Sequence, residues 1–148
     1  MQKIYISNSV QKTKLLTRKI FKLMRKKEGP IIFGLVGDLG AAKTTFVQQC
    51  LRGLGVRGRI TSPTFVLIKK YPLRHKKYKN AYHLDLYRLH KPAEILKLGL
   101  KELTREKDVV VFIEWADRIR KLLPRSAIWI NFRHGVKESE RILILRGV

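Results

Sequence analysis

The alternation of hydrophobic and polar positions predicts strands and helices from the first residues onward. An apolar segment at residues 4–6 precedes a serine-containing stretch, residues 7–9, that offers a helix cap. Apolar side chains then recur with the spacing of a helix that lies on a core, at Leu16, Ile20 and Leu23. Gly29 and Pro30 end this helix. We therefore interpret the basic N-terminal stretch as part of the domain and not as a targeting segment.

Continuous apolar runs give the strongest strand signals, because strands buried on both faces are typical of α/β folds. Residues 31–36 and 109–113 are such runs. Shorter strands are predicted at residues 65–68, 82–87, 128–130 and 142–145, and helices at residues 46–51 and 92–98. The basic stretch 69–80 contains Pro72 and is predicted to be an exposed turn. Together these elements predict an α/β fold with a single domain spanning residues 1–148.

Composition supports this class and excludes others. The chain has 148 residues, 45% of them hydrophobic and 30% charged, which suits one globular domain. It contains no apolar run long enough to span a membrane. A single cysteine, Cys50, rules out a disulfide framework and is expected to be a small core residue. We therefore expect a reducing, cytoplasmic setting.

The charge of the chain is unusual. Its 33 Lys and Arg against 11 Asp and Glu give a net charge of +22, and residues 1–84 hold 19 of the bases but only two of the acids. So strong a positive field attracts polyanions at low salt. Two interpretations stay open: a nucleic-acid partner, or an ordinary fold with a basic solvated surface.

A glycine-containing loop between a predicted strand and a predicted helix carries the clearest chemical signal. Such a loop lets backbone N–H groups and a helix N-terminus surround a polyphosphate. A lysine then reaches the terminal phosphates and a hydroxyl binds Mg²⁺. The predicted nucleotide-binding residues are Gly37, Asp38, Leu39, Gly40, Ala41, Ala42, Lys43, Thr44 and Thr45.

One position departs from the phosphate-loop pattern, which has glycine immediately before the lysine. This chain has Ala42 there. Its methyl group lies where the backbone runs closest to phosphate, and alanine is penalised if the loop requires positive φ. A glycine-rich turn that binds no nucleotide is therefore the alternative interpretation.

Few acids are available to complete a phosphate-transfer site. Glu114 follows the apolar run 109–113, at the end of a strand where open α/β sheets place ligand chemistry. Asp85 ends another predicted strand, and His83 shares a face with it. The alternatives are a solvent-facing strand end for Glu114 and a salt bridge, for instance to Arg88, for Asp85.

Four sequence blocks together resemble the TsaE family, the small bacterial ATPase of tRNA threonylcarbamoyladenosine biosynthesis. In chain order they are GDLGAAKTTF, TSPTF, HLDLYRL and FIEWADR. The resemblance extends to about residue 133 and implies a P-loop NTPase-like domain, with a central mixed sheet flanked by helices, that binds ATP or ADP with Mg²⁺. It also implies the TsaD and TsaB proteins as partners that carry out the group transfer. Direct tRNA contact stays open as a use of the basic surface, and no DNA partner is expected.

The same resemblance implies roles for individual residues. Lys43 would hold the β- and γ-phosphates, and Thr44, Asp85 and Glu114 would bind or support the metal. Glu114 would also orient or activate the attacking water. Lys43 and Glu114 are thus the predicted catalytic residues. Thr64 would lie in a switch-like loop and Trp115 beside the site. Ala42 and Ala116 stand where the family has glycine and usually proline.

Two other classes of function stay open at this point. A small-molecule kinase would use the same phosphate loop with an acceptor site, which is not evident here. A basic RNA- or protein-binding module would retain the fold with a degenerate nucleotide site.

Overall fold

One mixed β-sheet organises the chain in the computed structural model, which describes residues 2–38, 42–61, 63 and 67–147. Its strands, in spatial order, are β1 (Gln2–Ser7), β7 (Arg141–Arg146), β6 (Ile128–His134), β2 (Ile31–Val36), β5 (Val109–Glu114), β4 (Asn80–Asp85) and β3 (Ile68–Pro72). The four strands β6, β2, β5 and β4 run parallel, and β1, β7 and β3 pair antiparallel to their neighbours. The carboxyl ends of β2, β4 and β5 therefore meet at one edge of the sheet.

Helices cover both faces of this sheet. One face carries α1 (Val10–Met24) and α2 (Lys43–Gly53), and the other carries α3 (Pro92–Lys97), α4 (Leu100–Leu103) and a kinked 3₁₀ segment, Ala116–Leu122. Ser9 caps α1 by accepting the Lys12 N–H at 3.1 Å, as residues 7–9 predict. Within the described ranges, no helix is both long and apolar enough to cross a membrane.

Two apolar clusters fill the space between the sheet and the helices. Beneath α1 and α2, the rings of Phe33 and Phe112 stack with centroids 5.1 Å apart, and Phe46 meets Phe33 edge-on. Cys50 is fully buried in this cluster, which confirms its predicted core role. The continuous apolar runs of β2 and β5 are buried throughout or nearly so, because helices lie on both of their faces.

The sequence-based prediction is wrong around β3. A strand is predicted at residues 65–68 and a turn from Lys69 onward, whereas β3 begins at Ile68 and continues to Pro72. Phe65 and Val66 lie outside the described residues, as does Thr64 of the predicted switch-like loop. The difference arises because β3 is an edge strand. Its outer N–H and C=O groups face solvent and pair with no neighbouring strand, so the strand tolerates lysine and proline. Tyr71 meanwhile packs against the core.

Other boundaries shift by a few residues. The strand predicted at residues 82–87 is β4, which starts at Asn80, inside the predicted turn, and ends at Asp85. The helix predicted at residues 46–51 is α2, which begins three residues earlier, at Lys43. The short α4 and the 3₁₀ segment have no sequence-based counterpart.

One core residue carries an unsatisfied polar atom. Tyr78 is 4% exposed, and its hydroxyl has no hydrogen-bond partner in the part of the chain that the structure describes. Burial also raises the pKa of this tyrosine. An unpaired buried hydroxyl costs about 1–3 kcal/mol of desolvation.

We therefore expect Tyr78→Phe to increase the free energy of unfolding, by about 1 kcal/mol, in urea denaturation. Tyr71→Phe is the matched control, because the Tyr71 hydroxyl donates to the Thr61 carbonyl at 3.3 Å and its loss should lower stability. A loss of stability in Tyr78→Phe would show that its hydroxyl is satisfied in solution.

Candidate functional site

The glycine loop leaves β2 in a conformation that only glycine accepts. Gly37 has φ +149°, and a Cβ built there would lie 2.6 Å from the Phe132 carbonyl oxygen. The backbone is therefore pressed against β6 at the point where the loop begins. Leu39, Gly40 and Ala41, three of the predicted nucleotide-binding residues, lie outside the described residues.

Ala42 adopts the left-handed conformation, in which alanine is penalised. Its φ and ψ are 75° and 21°, and it is the residue that precedes the first turn of α2. A non-glycine residue in this region costs about 1–2 kcal/mol. The chain thus holds a strained alanine at the position where the phosphate-loop pattern places glycine.

The start of α2 has the features of an anion-binding helix end. No side chain caps it, and its first turn contains no acidic residue. The first N–H groups of a helix have no intrahelical partner, and the helix dipole adds positive potential there. Ala42 and Thr45 also line a cavity of about 220 Å³, which Ser9, Thr13 and Arg141 border.

Lys43 is the buried cation of the site. Its ammonium donates to the carbonyl oxygens of Gly37 and of Asp38, the latter at 2.9 Å, and lies 4.2 Å from the centroid of the Trp115 ring. Burial lowers the pKa of Lys43, and the nearby carboxylates, Glu114 first among them, oppose this shift. Two of the three ammonium hydrogens are thus engaged by the loop's own backbone.

Glu114 connects three elements through its carboxylate. Thr44 Oγ1, in the first turn of α2, donates to Glu114 Oε1 at 2.8 Å, and His83 Nε2 on β4 lies 2.5 Å from Glu114 Oε2. The Glu114 residue is 2% exposed, so it is not a solvent-facing strand end. Because an ionised carboxylate only accepts hydrogen bonds, we assign the hydrogen of the His83 ring to Nε2.

Strand register brings Asp85 to the same place. Asp85 pairs with Glu114 across the parallel β4–β5 ladder, and side-chain alternation puts both of them on the α2 face with His83. Asp85 Oδ1 accepts the Tyr87 N–H at 3.0 Å. The sheet edge therefore collects the three predicted metal ligands from three different elements.

The donor set at this edge suits Mg²⁺. It consists of the Thr44 hydroxyl and the Asp85 and Glu114 carboxylates, which are the oxygen ligands that a hard cation prefers. His83 directs Nε2 to Glu114, and its Nδ1 has no partner among the described residues. Among the described residues, His, Cys, Asp and Glu side chains do not by themselves form a group of three suited to a metal, so an ion here would also need the Thr44 hydroxyl.

Trp115 lies beside the site as expected, with its ring against the Lys43 ammonium. Two other residues have roles that sequence reasoning does not identify. His83 is a partner of Glu114, and Arg118 donates to the carbonyl oxygens of residues 86, 87 and 89 at 2.7–3.1 Å. Arg118 thereby fixes the segment after Asp85. Its presence in the FIEWADR block was the available signal, but one arginine among 33 basic residues does not stand out.

Comparison with known proteins places this chain in a family. The family model described as "Threonylcarbamoyl adenosine biosynthesis protein TsaE" matches residues 7–143. The chain belongs to the TsaE family. This confirms the resemblance drawn from the four sequence blocks, and the family's description assigns it to threonylcarbamoyl adenosine biosynthesis.

Individual relatives agree with the family match. A protein of Haemophilus influenzae named tRNA threonylcarbamoyladenosine biosynthesis protein TsaE is 38% identical over 104 residues, which is 70% of this chain and 63% of that protein. A TsaE protein of Rickettsia bellii is 37% identical over 129 residues, 86% of this chain and 84% of its own length. The crystal structure of YdiB from Bacillus subtilis has a TM-score of 0.74 at 27% identity, covering 98% of this chain and 84% of that one. The predicted α/β fold with its mixed sheet is thus confirmed for a TsaE member.

Ala42→Gly tests the strained position. We expect this substitution to raise the free energy of unfolding without nucleotide by about 1 kcal/mol, because glycine adopts positive φ without penalty. Any gain in nucleotide affinity would be a separate effect, caused by removal of the methyl group from the backbone that approaches the phosphates. Denaturation and nucleotide titration of the same variant distinguish the two effects.

Ala93→Gly is the matched control for that prediction. Residue 93 lies exposed in α3, where glycine should lower stability by about 0.5–1 kcal/mol. If Ala42→Gly loses stability as Ala93→Gly does, Ala42 is not left-handed in solution.

Proposed function

We propose that this TsaE-family chain binds Mg·ATP at residues 37–45 and hydrolyses it to ADP and phosphate in support of tRNA threonylcarbamoyladenosine formation. The observation that carries the proposal is the 2.8 Å hydrogen bond from Thr44 to Glu114. It joins the first turn of the helix after the glycine loop to an acid at the end of a buried strand. Phosphate-loop hydrolases use this combination to bind a nucleotide with its metal.

The start of α2 supports binding of the phosphates. Its uncapped first turn offers backbone N–H groups, and Lys43 holds a cation beside them. A phosphate oxygen is a stronger acceptor for an ammonium group than a neutral carbonyl. Lys43 can therefore exchange part of its bonding to Gly37 and Asp38 for the β- and γ-phosphates when ATP enters.

The cavity that Ala42 and Thr45 border offers space for the rest of the nucleotide. It lies between the first turns of α1 and α2, and Ser9 is among the residues that line it. The Ser9 hydroxyl accepts the Lys12 N–H and keeps its own hydrogen, so it can donate to ribose or to a base edge. We infer that the nucleoside part of ATP lies toward α1.

The oxygen donors of Thr44, Asp85 and Glu114 would hold Mg²⁺. When bound, this ion neutralises the charge that develops on the phosphate oxygens during transfer.

Glu114 is the residue we propose to orient the attacking water. Its carboxylate has about four lone-pair sites, so bonds to Thr44 and His83 leave acceptor capacity for water. In hydrolysis the water oxygen bonds to the γ-phosphorus, the bond from that phosphorus to the bridging oxygen breaks, and ADP leaves. One proton of the water stays on the released phosphate, and the other passes through Glu114 to solvent. His83 fixes the carboxylate orientation from the opposite side.

The role in the modification pathway follows the family membership. We propose that the chain acts in the cytoplasm with TsaD and TsaB, which would transfer the threonylcarbamoyl group, while ATP hydrolysis by this chain drives a cycling step. A kinase or a degenerate binding module remains the competing proposal. Phosphate transfer to a metabolite would identify the kinase, and RNA binding without any nucleotide binding would identify the module.

Glu114→Gln tests the catalytic assignment. We expect the hydrolysis rate to fall at least about 100-fold, the effect typical of losing a positioned base, while the Kd for Mg·ATP changes by less than about fivefold. Single-turnover hydrolysis, with and without TsaD and TsaB, and calorimetric titration measure the two quantities.

Glu102→Gln, at an exposed position of α4, is the control and should change neither quantity. Equal losses of binding and hydrolysis in Glu114→Gln would instead make Glu114 a structural residue.

A further inference from the structure

A second concave surface lies at the far end of the α1–α2 layer from the candidate site. It is a cleft of about 710 Å³, bordered by the C-terminal half of α1, the C-terminus of α2 and residues 74–78 between β3 and β4. The glycine loop meets α2 at Lys43, and the cleft meets it at Gly53. At 1.5 Å rise per residue these points are about 15 Å apart along the helix.

The cleft is strongly basic. Among the described residues that line it, Arg or Lys stands at five positions and none is acidic: Arg18, Arg25, Arg74, Lys76 and Lys77. All five are exposed. Arg18 lies in α1 and Arg25 directly follows it, whereas the other three come from the opposite wall, so their positive charges face one cleft from both sides. This concentration goes beyond a generally basic surface, because it lines a concavity.

An aromatic platform lies in the same wall. The His75 ring is exposed and stacks on Tyr78 with centroids 5.4 Å apart, and Lys77 lies 5.6 Å from the Tyr78 centroid. On the other wall, Phe21 approaches Gly53 so closely that a Cβ there would lie 2.8 Å from its ring. Unpaired nucleotides bind to such surfaces, because their bases stack on flat rings and their phosphates contact nearby cations.

The walls are held in place by backbone contacts. The Lys77 ammonium donates to the Lys27 carbonyl oxygen just beyond α1, which ties the two walls together. His75 Nδ1 accepts the N–H groups of Lys77 and Tyr78 at 3.1 and 3.3 Å, which orders the turn that presents its own ring. The cleft is therefore pre-formed, which reduces the entropy lost on binding.

We propose that this cleft binds an unpaired RNA segment, with its phosphates on the Arg and Lys side chains and a base stacked on His75. The proposal does not rest on ATP hydrolysis, because the cleft and the glycine loop are at opposite ends of α2. RNA is favoured over an acidic protein segment because a carboxylate-rich peptide would use the charges but not the exposed ring.

The test is fluorescence anisotropy with a labelled single-stranded RNA 12-mer over a range of salt concentrations. The cleft variant is Arg18→Glu with Lys76→Glu, one substitution from each wall. The matched control is Lys97→Glu with Lys101→Glu, at exposed positions of α3 and α4 on the other face of the sheet. Both pairs change the net charge equally.

We expect the cleft variant to bind RNA at least tenfold more weakly at 0.1 M salt, and its salt slope to fall by about 1.4, which corresponds to two lost phosphate contacts. The affinity of the control pair for the RNA should fall by less than about threefold. His75→Asn retains a hydrogen-bond acceptor for the turn but removes the ring, and we expect its affinity for the RNA to fall about fivefold. Mg·ATP binding should be unchanged in all three.

Several results would overturn the proposal. Equal losses in the two charge-reversal pairs would show that only the overall field attracts RNA. A poly-glutamate peptide that competes as well as the RNA would assign the cleft to an acidic protein segment. Equal binding of duplex RNA would exclude stacking of an unpaired base. A loss of Mg·ATP binding alone would bear on the proposed function and not on the cleft.

Discussion

The Glu114 carboxylate, buried at the end of β5, is the constraint around which the site is built. A buried charge is tolerated only when hydrogen-bond partners replace water. Thr44 supplies one partner from α2 and His83 supplies another from β4. These contacts fix how the first turn of α2 sits over the sheet edge, and with it the loop that precedes that turn. The same arrangement keeps Asp85 beside Glu114 through strand register.

Strain and burial accumulate at the start of α2. A left-handed alanine, an uncapped helix end and a buried lysine each cost free energy in the folded state, and they occupy consecutive positions. Two apolar clusters on either side of the sheet supply the stability that tolerates them. Trp115 and Arg118 extend this support, because the Trp115 ring lies under the Lys43 ammonium and Arg118 fixes the segment after Asp85.

The fold gathers the basic N-terminal part of the chain on one side of the molecule. The first 84 residues carry 19 bases and two acids, and they include α1, α2 and the β3–β4 connection. These elements share one face of the sheet or its border. The excess positive charge is therefore concentrated on the side of the molecule that holds both the candidate nucleotide site and the basic cleft, at opposite ends of the same helix pair.

Local pattern was sufficient for much of this protein. Continuous apolar runs predicted β2 and β5 because burial on both faces leaves no polar positions, and the glycine loop predicted a sharp backbone turn before α2. Glu114 was identified as a candidate site residue because it directly follows an apolar strand. The extent of β3 was missed, since an edge strand tolerates lysine and proline and so resembles a turn. Tertiary structure alone decided that His83 binds Glu114, that Lys43 bonds to its own loop, and that α1 and residues 74–78 enclose a cleft. The His83–Glu114 contact and the two cleft walls join residues distant in the chain, which only the packing of strands and helices brings together. The Lys43 bonds span five and six residues, and they depend on how the loop folds back over the start of α2.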